Sequence, residues 1–208
     1  MKKKCVIIMA GGNAAGKTTT TKAFTAESSY HEYRDIREVS TRKGIRPMKI
    51  TWTLFPDINV GVSGNWNNGT DANTGPGSVR EAFNECMKAS DIVIVDGAIS
   101  SPHWLWMVLD WFKEHAGYKI ELILVHFDLP AEVLLARFAT RMGVEDKERI
   151  RDDKWAKCVE LVARVQNFVH NNVYGIWGEP DVHLVVTEEN TTEDIVAALK
   201  DAVTEVMS

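Results

Sequence analysis

Val6-Ile7-Ile8-Met9-Ala10-Gly11-Gly12-Asn13-Ala14-Ala15-Gly16-Lys17-Thr18 decides how this chain is read. Its second part, Gly11 to Thr18, matches G-x-x-x-x-G-K-[ST], the phosphate-loop spacing. The run Val6 to Met9 is continuously apolar, as a strand buried on both faces must be. Residues from Gly16 to Ala26 carry a helical pattern. A glycine-rich turn between a buried strand and a helix directs backbone N–H groups at phosphate oxygens, and the helix N-terminus adds unpaired donors and a favourable dipole. Gly11, Gly12, Asn13, Ala14, Ala15, Gly16, Lys17, Thr18 and Thr19 are therefore the expected nucleoside triphosphate contacts. Lys17 serves the β/γ oxygens, and the Thr18 hydroxyl is a Mg²⁺ ligand. ATP and Mg²⁺ are the expected ligands.

Short apolar runs alternate with helical patterns away from this loop, which is the signature of an α/β fold with a largely parallel sheet. Ile92 to Val95, Leu122 to Val125 and Val182 to Val186 read as further strands. Ser101-Pro102 and Pro130 open helices, the second covering Ala131 to Met142. Thr191 with Asp194 starts a C-terminal helix through a capping-box pattern. Three-four spacing of Trp155, Cys158, Val162, Val165 and Val169 predicts a helix over about 147–170. Trp104, Trp111 and Trp155 fall on apolar helical faces and are read as core. Ile50, Trp52, Leu54 and then Ile58, Val60, Val62 alternate around Pro56-Asp57, as two strands of a hairpin do. The Gly/Asn-rich segment from Gly61 to Gly77 is long enough to be functional.

The 208 residues fit one domain, and 45% hydrophobic with 25% charged residues excludes a disordered or fibrous chain. A net charge of −5 excludes a general nucleic-acid-coating protein. Three separated cysteines, Cys5, Cys86 and Cys158, read as buried thiols in a reducing compartment. The apolar run near the N-terminus is too short for a signal peptide and no stretch approaches a membrane span, so a cytoplasmic location is expected. Locally the charge reverses. Arg34, Arg37, Arg42, Lys43, Arg46 and Lys49 outnumber Asp35 and Glu38, either as a solvated face or as a contact for acceptor phosphates.

Asp96 ends a buried strand and precedes Gly97. An acidic residue there can hold Mg²⁺ or accept a proton from an attacking hydroxyl; as a plain Asp-Gly turn it would do neither. Arg137 and Arg141, four apart, share a helix face and are candidates for a lid over transferring phosphates. Asp71, in the Gly/Asn loop, is a candidate acceptor contact or base, with an Asx turn as the plain reading. Asp35 is a weaker rival for the base. Trp66 is a candidate base-stacking residue. The chain has no N-K-x-D, and Asp96-Gly97-Ala98-Ile99 is not D-x-x-G, so a GTPase switch is not expected.

Size, Asp96-Gly97 and the Arg137/Arg141 pair resemble small P-loop kinases. Gly64-Asn65-Trp66-Asn67-Asn68-Gly69-Thr70-Asp71, followed by Asp91 to Gly97 and then Ser100, Ser101 and Trp104, is similar to the 5-hydroxymethyluracil DNA kinases of bacteriophages that hypermodify thymine. The resemblance covers roughly residues 5–142. It implies a nucleotide-kinase-like P-loop NTPase fold, a three-layer sandwich on a mostly parallel five-stranded sheet, with a hairpin insertion near 49–62 and a helical lid. One kinase domain over 1–208 would carry its acceptor side at about 31–77 and its lid at about 137–151. The implied reaction moves the γ-phosphoryl of ATP to the hydroxymethyl group of the modified pyrimidine in DNA, in the host cytoplasm for a phage-encoded chain. A kinase for free deoxynucleotide monophosphates or another small acceptor, and an ATP-binding regulatory module without transfer, are the alternatives.

Overall fold

Strand β1 (Lys2–Ala10) lies in the interior of a mixed sheet, and its side chains alternate between two cores. The computed structural model describes residues 1–41, 44–66, 73, 76–97, 103–143 and 147–208, and side chains for all of these except residues 41, 76, 103, 104 and 147–153. After β1 come α1 (Lys17–Phe24), β2 (His31–Thr41), β3 (Gly44–Phe55), a 3₁₀ turn at Pro56–Ile58 and β4 (Val60–Val62). Then follow α2 (Pro76–Ala89), β5 (Ile92–Asp96), α3 (His103–Glu114), β6 (Tyr118–Phe127) and α4 (Ala131–Met142). The chain continues through α5 (Lys147–Asn167), a π-helical segment at Phe168–Trp177, β7 (Val182–Val186) and α6 (Thr192–Met207).

The sheet order is β2-β3-β4-β5-β1-β6-β7. Strands β4, β5, β1, β6 and β7 run parallel, while β3 is antiparallel to both β4 and β2. The expected count of five strands is thus corrected to seven among the described residues. The hairpin expected at 49–62 exists only as a three-pair ladder, from Thr53↔Val62 to Phe55↔Val60. The main partner of β3 is β2, matched over eleven pairs from His31↔Leu54 to Thr41↔Gly44. Among the described side chains of β2 only Val39 is buried, so the strand shows charge on both faces and no apolar alternation.

Val6, Ile8 and Ala10 join the core built with α2, α3 and the π segment. Cys5, Ile7 and Met9 join the opposite core with α4, α5 and α6, on which Phe24 of α1 also packs. Helices on both faces bury the parallel strands on both sides, as crossover connections require. Trp111 is buried as expected, whereas Trp155 is half-buried; the side chain of Trp104 lies outside the described residues. Cys5, Cys86 and Cys158 are free and buried. The helix expected over about 147–170 ends at Asn167 and continues as the wider π turn. Thr191 and Asp194 form a reciprocal capping box at the start of α6. Among the described residues, no helix is long and apolar enough to cross a membrane.

Two stability consequences follow. A Cβ on Gly61 would lie 2.8 Å from the Cβ of Cys86 and 3.3 Å from its Cα, on helix α2. Gly61→Ala should therefore lower stability by about 1–3 kcal/mol, read as a fall in the chemical-denaturation midpoint. The second concerns His126 on β6, which is buried beside His183 of β7, with ring centroids 5.8 Å apart. Its Nε2 has no hydrogen-bond partner, and the Nε2 of His183 has none either. Burial holds the His126 ring below its ordinary pKa, and the neighbouring His183 and His170 act in the same direction, against Asp128. The unfolded chain takes up that proton near 6.5 while the folded chain resists it. Stability present at neutral pH should fall as pH drops through about 6.5, and His126→Gln should flatten that slope. An unchanged slope in the variant would remove His126 as its source.

Candidate active site

Two left-handed residues shape the turn between β1 and α1: Ala14 at φ 63° and Gly16 at φ 105°. Gly11 is also constrained by space, because a Cβ there would come within 2.8 Å of the Phe127 Cβ. The turn thus brings backbone against β6 where only glycine fits. Gly16 is the N-cap of α1 and no side chain caps that end, which suits the positive end of the helix dipole to an anion. Lys17 is buried, and its Nζ donates to the carbonyls of Gly11 at 2.9 Å and Gly12 at 2.7 Å. Those bonds hold the ammonium at the mouth of its own loop.

β5 lies parallel to β1 with Asp96 in register with Met9, which sets the carboxylate beside the loop. Asp96 is 1% exposed, and the Thr21 hydroxyl of α1 approaches its Oδ2 at 3.4 Å. Thr21 also donates to the Lys17 carbonyl at 3.1 Å, so one side chain links the first turn of α1 to the end of β5. From the other side, α4 presents Arg137 and Arg141. Arg137 Nη1 donates to the Ala15 carbonyl at 2.8 Å, tying α4 to the turn between β1 and α1.

These groups line one cleft of about 950 Å³, at the carboxyl ends of the parallel strands. Asn13 to Thr20, Asp96, Arg137 and Arg141 all border it. Among its described lining residues the cations are Lys17, Lys22, Arg137 and Arg141, and Asp96 is the one carboxylate. Such a wall favours a polyanion. The far wall is made by Val186, Thr187, Asn190, Thr192 and Ile195, from the end of β7 to the start of α6. The sequence reading left these out. The capping box placed the start of α6, but nothing in Thr187 or Asn190 separates a cleft wall from an ordinary turn, which they also form (Asn190 Oδ1 accepts from the Thr187 N–H at 2.8 Å).

Asp71 lies outside the described residues, as do Arg42, Lys43, Ser100 and Ser101. The residues flanking the Asp71 segment are pinned. Trp66 Nε1 donates to the Thr25 hydroxyl at 3.0 Å, and its ring packs on Tyr30 with centroids 4.8 Å apart, with Lys22 over the ring. Trp66 is thus held at the C-terminal end of α1, with its indole N–H taken. Asn73 exchanges two bonds with the backbone of Thr51, at 2.8 and 2.9 Å, and extends the β3 ladder where β4 has ended. Asp35 is not brought to the cleft. It is exposed on β2, where the Arg37 hydrogen bond, joined by the Ile36 N–H, holds its carboxyl below the usual range, a poor setting for a base. The basic stretch is partly neutralised within the chain: Arg34 pairs with Glu32, and Arg37 with Asp35, Glu81 and Glu85.

No protein-family model and no curated protein matches the chain.

Proposed function

We propose that this chain is an ATP-dependent phosphotransferase of the P-loop NTPase, nucleotide-kinase-like fold, acting on the hydroxymethyl group of 5-hydroxymethyluracil in phage DNA. The observation that carries the transfer reading is the convergence of Lys17, Thr18, Asp96, Arg137 and Arg141 on one cleft. Its volume lies within the range typical of small-molecule sites. The acceptor rests on the resemblance of the Gly64 to Asp71 segment.

In this reading the triphosphate lies along Gly11 to Thr18. Lys17 neutralises the β/γ oxygens, and Arg137 and Arg141 meet the charge on the equatorial oxygens of the moving phosphoryl. The acceptor oxygen forms a bond to the γ-phosphorus as the bond to the β-bridging oxygen breaks. The hydroxyl proton passes to a carboxylate, and ADP leaves. Asp96, which borders the cleft, or Asp71 would receive that proton, Asp96 only where it does not itself hold the metal. Among the described residues, no cluster of three or more His, Cys, Asp or Glu side chains could hold a metal. A hydroxyl and a single carboxylate nevertheless suit Mg²⁺, which binds through few protein oxygens and completes its shell with phosphates and water. Thr18 and Asp96 would hold it, and it would supply neutralisation of the β/γ oxygens. The location that fits this work is the cytoplasm, of the host for a phage-encoded chain.

A second reading, a kinase for free deoxynucleotide monophosphates or another small acceptor, is favoured by the pairing of Arg34 and Arg37 with carboxylates. That pairing leaves less positive charge for a DNA backbone. The test is γ-labelled ATP with a panel of hydroxymethyluracil DNA, deoxynucleotide monophosphates and buffer. Label in modified DNA alone is expected. Label on free nucleotides selects the second reading. Release to water, or no release, rejects both in favour of a non-transferring ATP-binding module.

A further inference from the structure

Strand β2 ends the sheet: β3 pairs with its inner side and no described strand pairs with its outer side. The direction of its backbone groups follows from Thr51. That residue stands opposite Arg34, and its N–H and C=O are both taken by the Asn73 amide, away from β2. Arg34 and Thr51 therefore form a non-hydrogen-bonded pair. By the two-residue alternation of an antiparallel ladder, Arg34, Ile36 and Glu38 turn their N–H and C=O groups outward. The Ile36 N–H agrees, being bonded at 2.8 Å by the Asp35 carboxylate and not by β3. An eleven-residue edge of this kind is a template for another strand.

The side chains say which strand. Arg34-Asp35-Ile36-Arg37-Glu38 reverses its charge pattern about Ile36. If two copies meet antiparallel with Ile36 opposite Ile36, each Arg34 faces Glu38 of the other copy and each Asp35 faces Arg37. Shifting the two-fold centre by one residue sets Asp35 against Asp35 or Arg37 against Arg37, and by two residues Arg34 or Glu38 against itself. Ile36 is 73% exposed, and Ile45, on the same face of β3, is 69% exposed. Apolar exposure at the centre of a charge-complementary edge is what a self-pairing strand needs.

We propose that a second copy of this chain docks on β2, antiparallel about Ile36, so that one sheet runs through both copies. The Ile36 N–H passes from the Asp35 carboxylate to the Ile36 carbonyl of the second copy. Arg34, paired in the single chain with Glu32, comes opposite a second carboxylate. Exposed ion pairs are individually weak, so their role here is to select the register, while backbone bonds and Ile36 hold the copies together. The inference stands apart from the phosphotransferase reading, because its test reads mass and not activity.

Sedimentation equilibrium over a concentration series is expected to give a dimer for the native chain. Arg34→Glu should raise its dissociation constant about tenfold or more, since it sets carboxylate against carboxylate at two places. Glu38→Arg should do the same with two arginines. An equimolar mixture of the two variants should dimerise again, as should the double variant Arg34→Glu/Glu38→Arg. Ile36→Pro, which removes the outward N–H now held by the Asp35 carboxylate and no bond to β3, should be monomeric while still unfolding in one cooperative transition. A native chain that stays monomeric throughout, a dimer indifferent to these substitutions, or a mixture that fails to pair would each overturn the proposal.

Discussion

Lys17→Met is expected to lower phosphoryl transfer about 10²- to 10³-fold while the chain stays folded. That loss corresponds to roughly 3–4 kcal/mol of transition-state stabilisation. Lys17 is buried at the start of α1, and its Nζ is held by the carbonyls of Gly11 and Gly12. An ammonium fixed in that position needs little reorganisation to meet the β/γ oxygens, and charge fixed beforehand is what a polar transition state rewards. Methionine keeps the unbranched stem and its packing, so the substitution removes charge without opening a cavity. Two carbonyls lose a donor, which costs about 1–3 kcal/mol of stability at most. Rate and unfolding midpoint are measured on the same preparation. Full transfer by a folded variant would sink the assignment of Lys17, and with it the reading of the loop as a phosphate site for catalysis.

The part of the molecule that was legible in the sequence is the part where local chemistry leaves few options. Gly16 occupies a left-handed position, and Gly11 a place with no room for a side chain. Such constraints act within a few residues, so a short motif can carry them. The same holds for the capping box at Thr191 and for the helix opened by Pro130, whose end at Met142 follows the expected boundary. Arg137 and Arg141 were paired by helical spacing alone, and the cleft receives both.

What was not legible depends on neighbours distant in sequence. β2 carries polar residues on both faces because Arg34, Ile36, Glu38 and Ser40 are exposed on one face and Arg37 on the other meets Glu81 and Glu85 of α2. Its strand conformation is imposed by pairing with β3, which no periodicity of β2 itself announces. Thr21 is one of four successive threonines in α1, with nothing in the sequence to set it apart, yet its hydroxyl approaches Asp96, seventy-five positions away. Trp66 looked free because its loop is rich in Gly and Asn; its indole N–H is instead held by Thr25, forty-one positions earlier. In each case a contact between elements overrode the local reading. The charge of −5 has the same character: it describes the chain, while the cleft wall holds Lys17, Lys22, Arg137 and Arg141 against Asp96.

Arg137→Ala is expected to cost more transfer than Arg141→Ala, although both remove one positive charge from one helix face. Arg141 is exposed at the last turn of α4 and borders the cleft, so its alanine variant should lose charge stabilisation of the equatorial oxygens alone. In the proposed reaction Arg137 would do this too, and it also donates from Nη1 to the Ala15 carbonyl, 122 positions away, in the turn between β1 and α1. Removing it loosens the loop that must present its N–H groups, and small misplacements of such groups are costly. Losses for arginines that stabilise phosphoryl transfer reach about 10³- to 10⁵-fold, and Arg137 is expected within that range. Lysine substitutions separate the two roles. A guanidinium can hold a carbonyl with one nitrogen and turn others to phosphate, whereas an ammonium is a point charge on a flexible stem. Arg141→Lys should therefore recover much of the activity lost in Arg141→Ala, and Arg137→Lys should recover little. KM for ATP should rise with kcat falling in Arg137→Ala, because loop and charge are disturbed together. Equal losses at the two positions, with equal rescue by lysine, would mean that the bond to Ala15 has no part in catalysis.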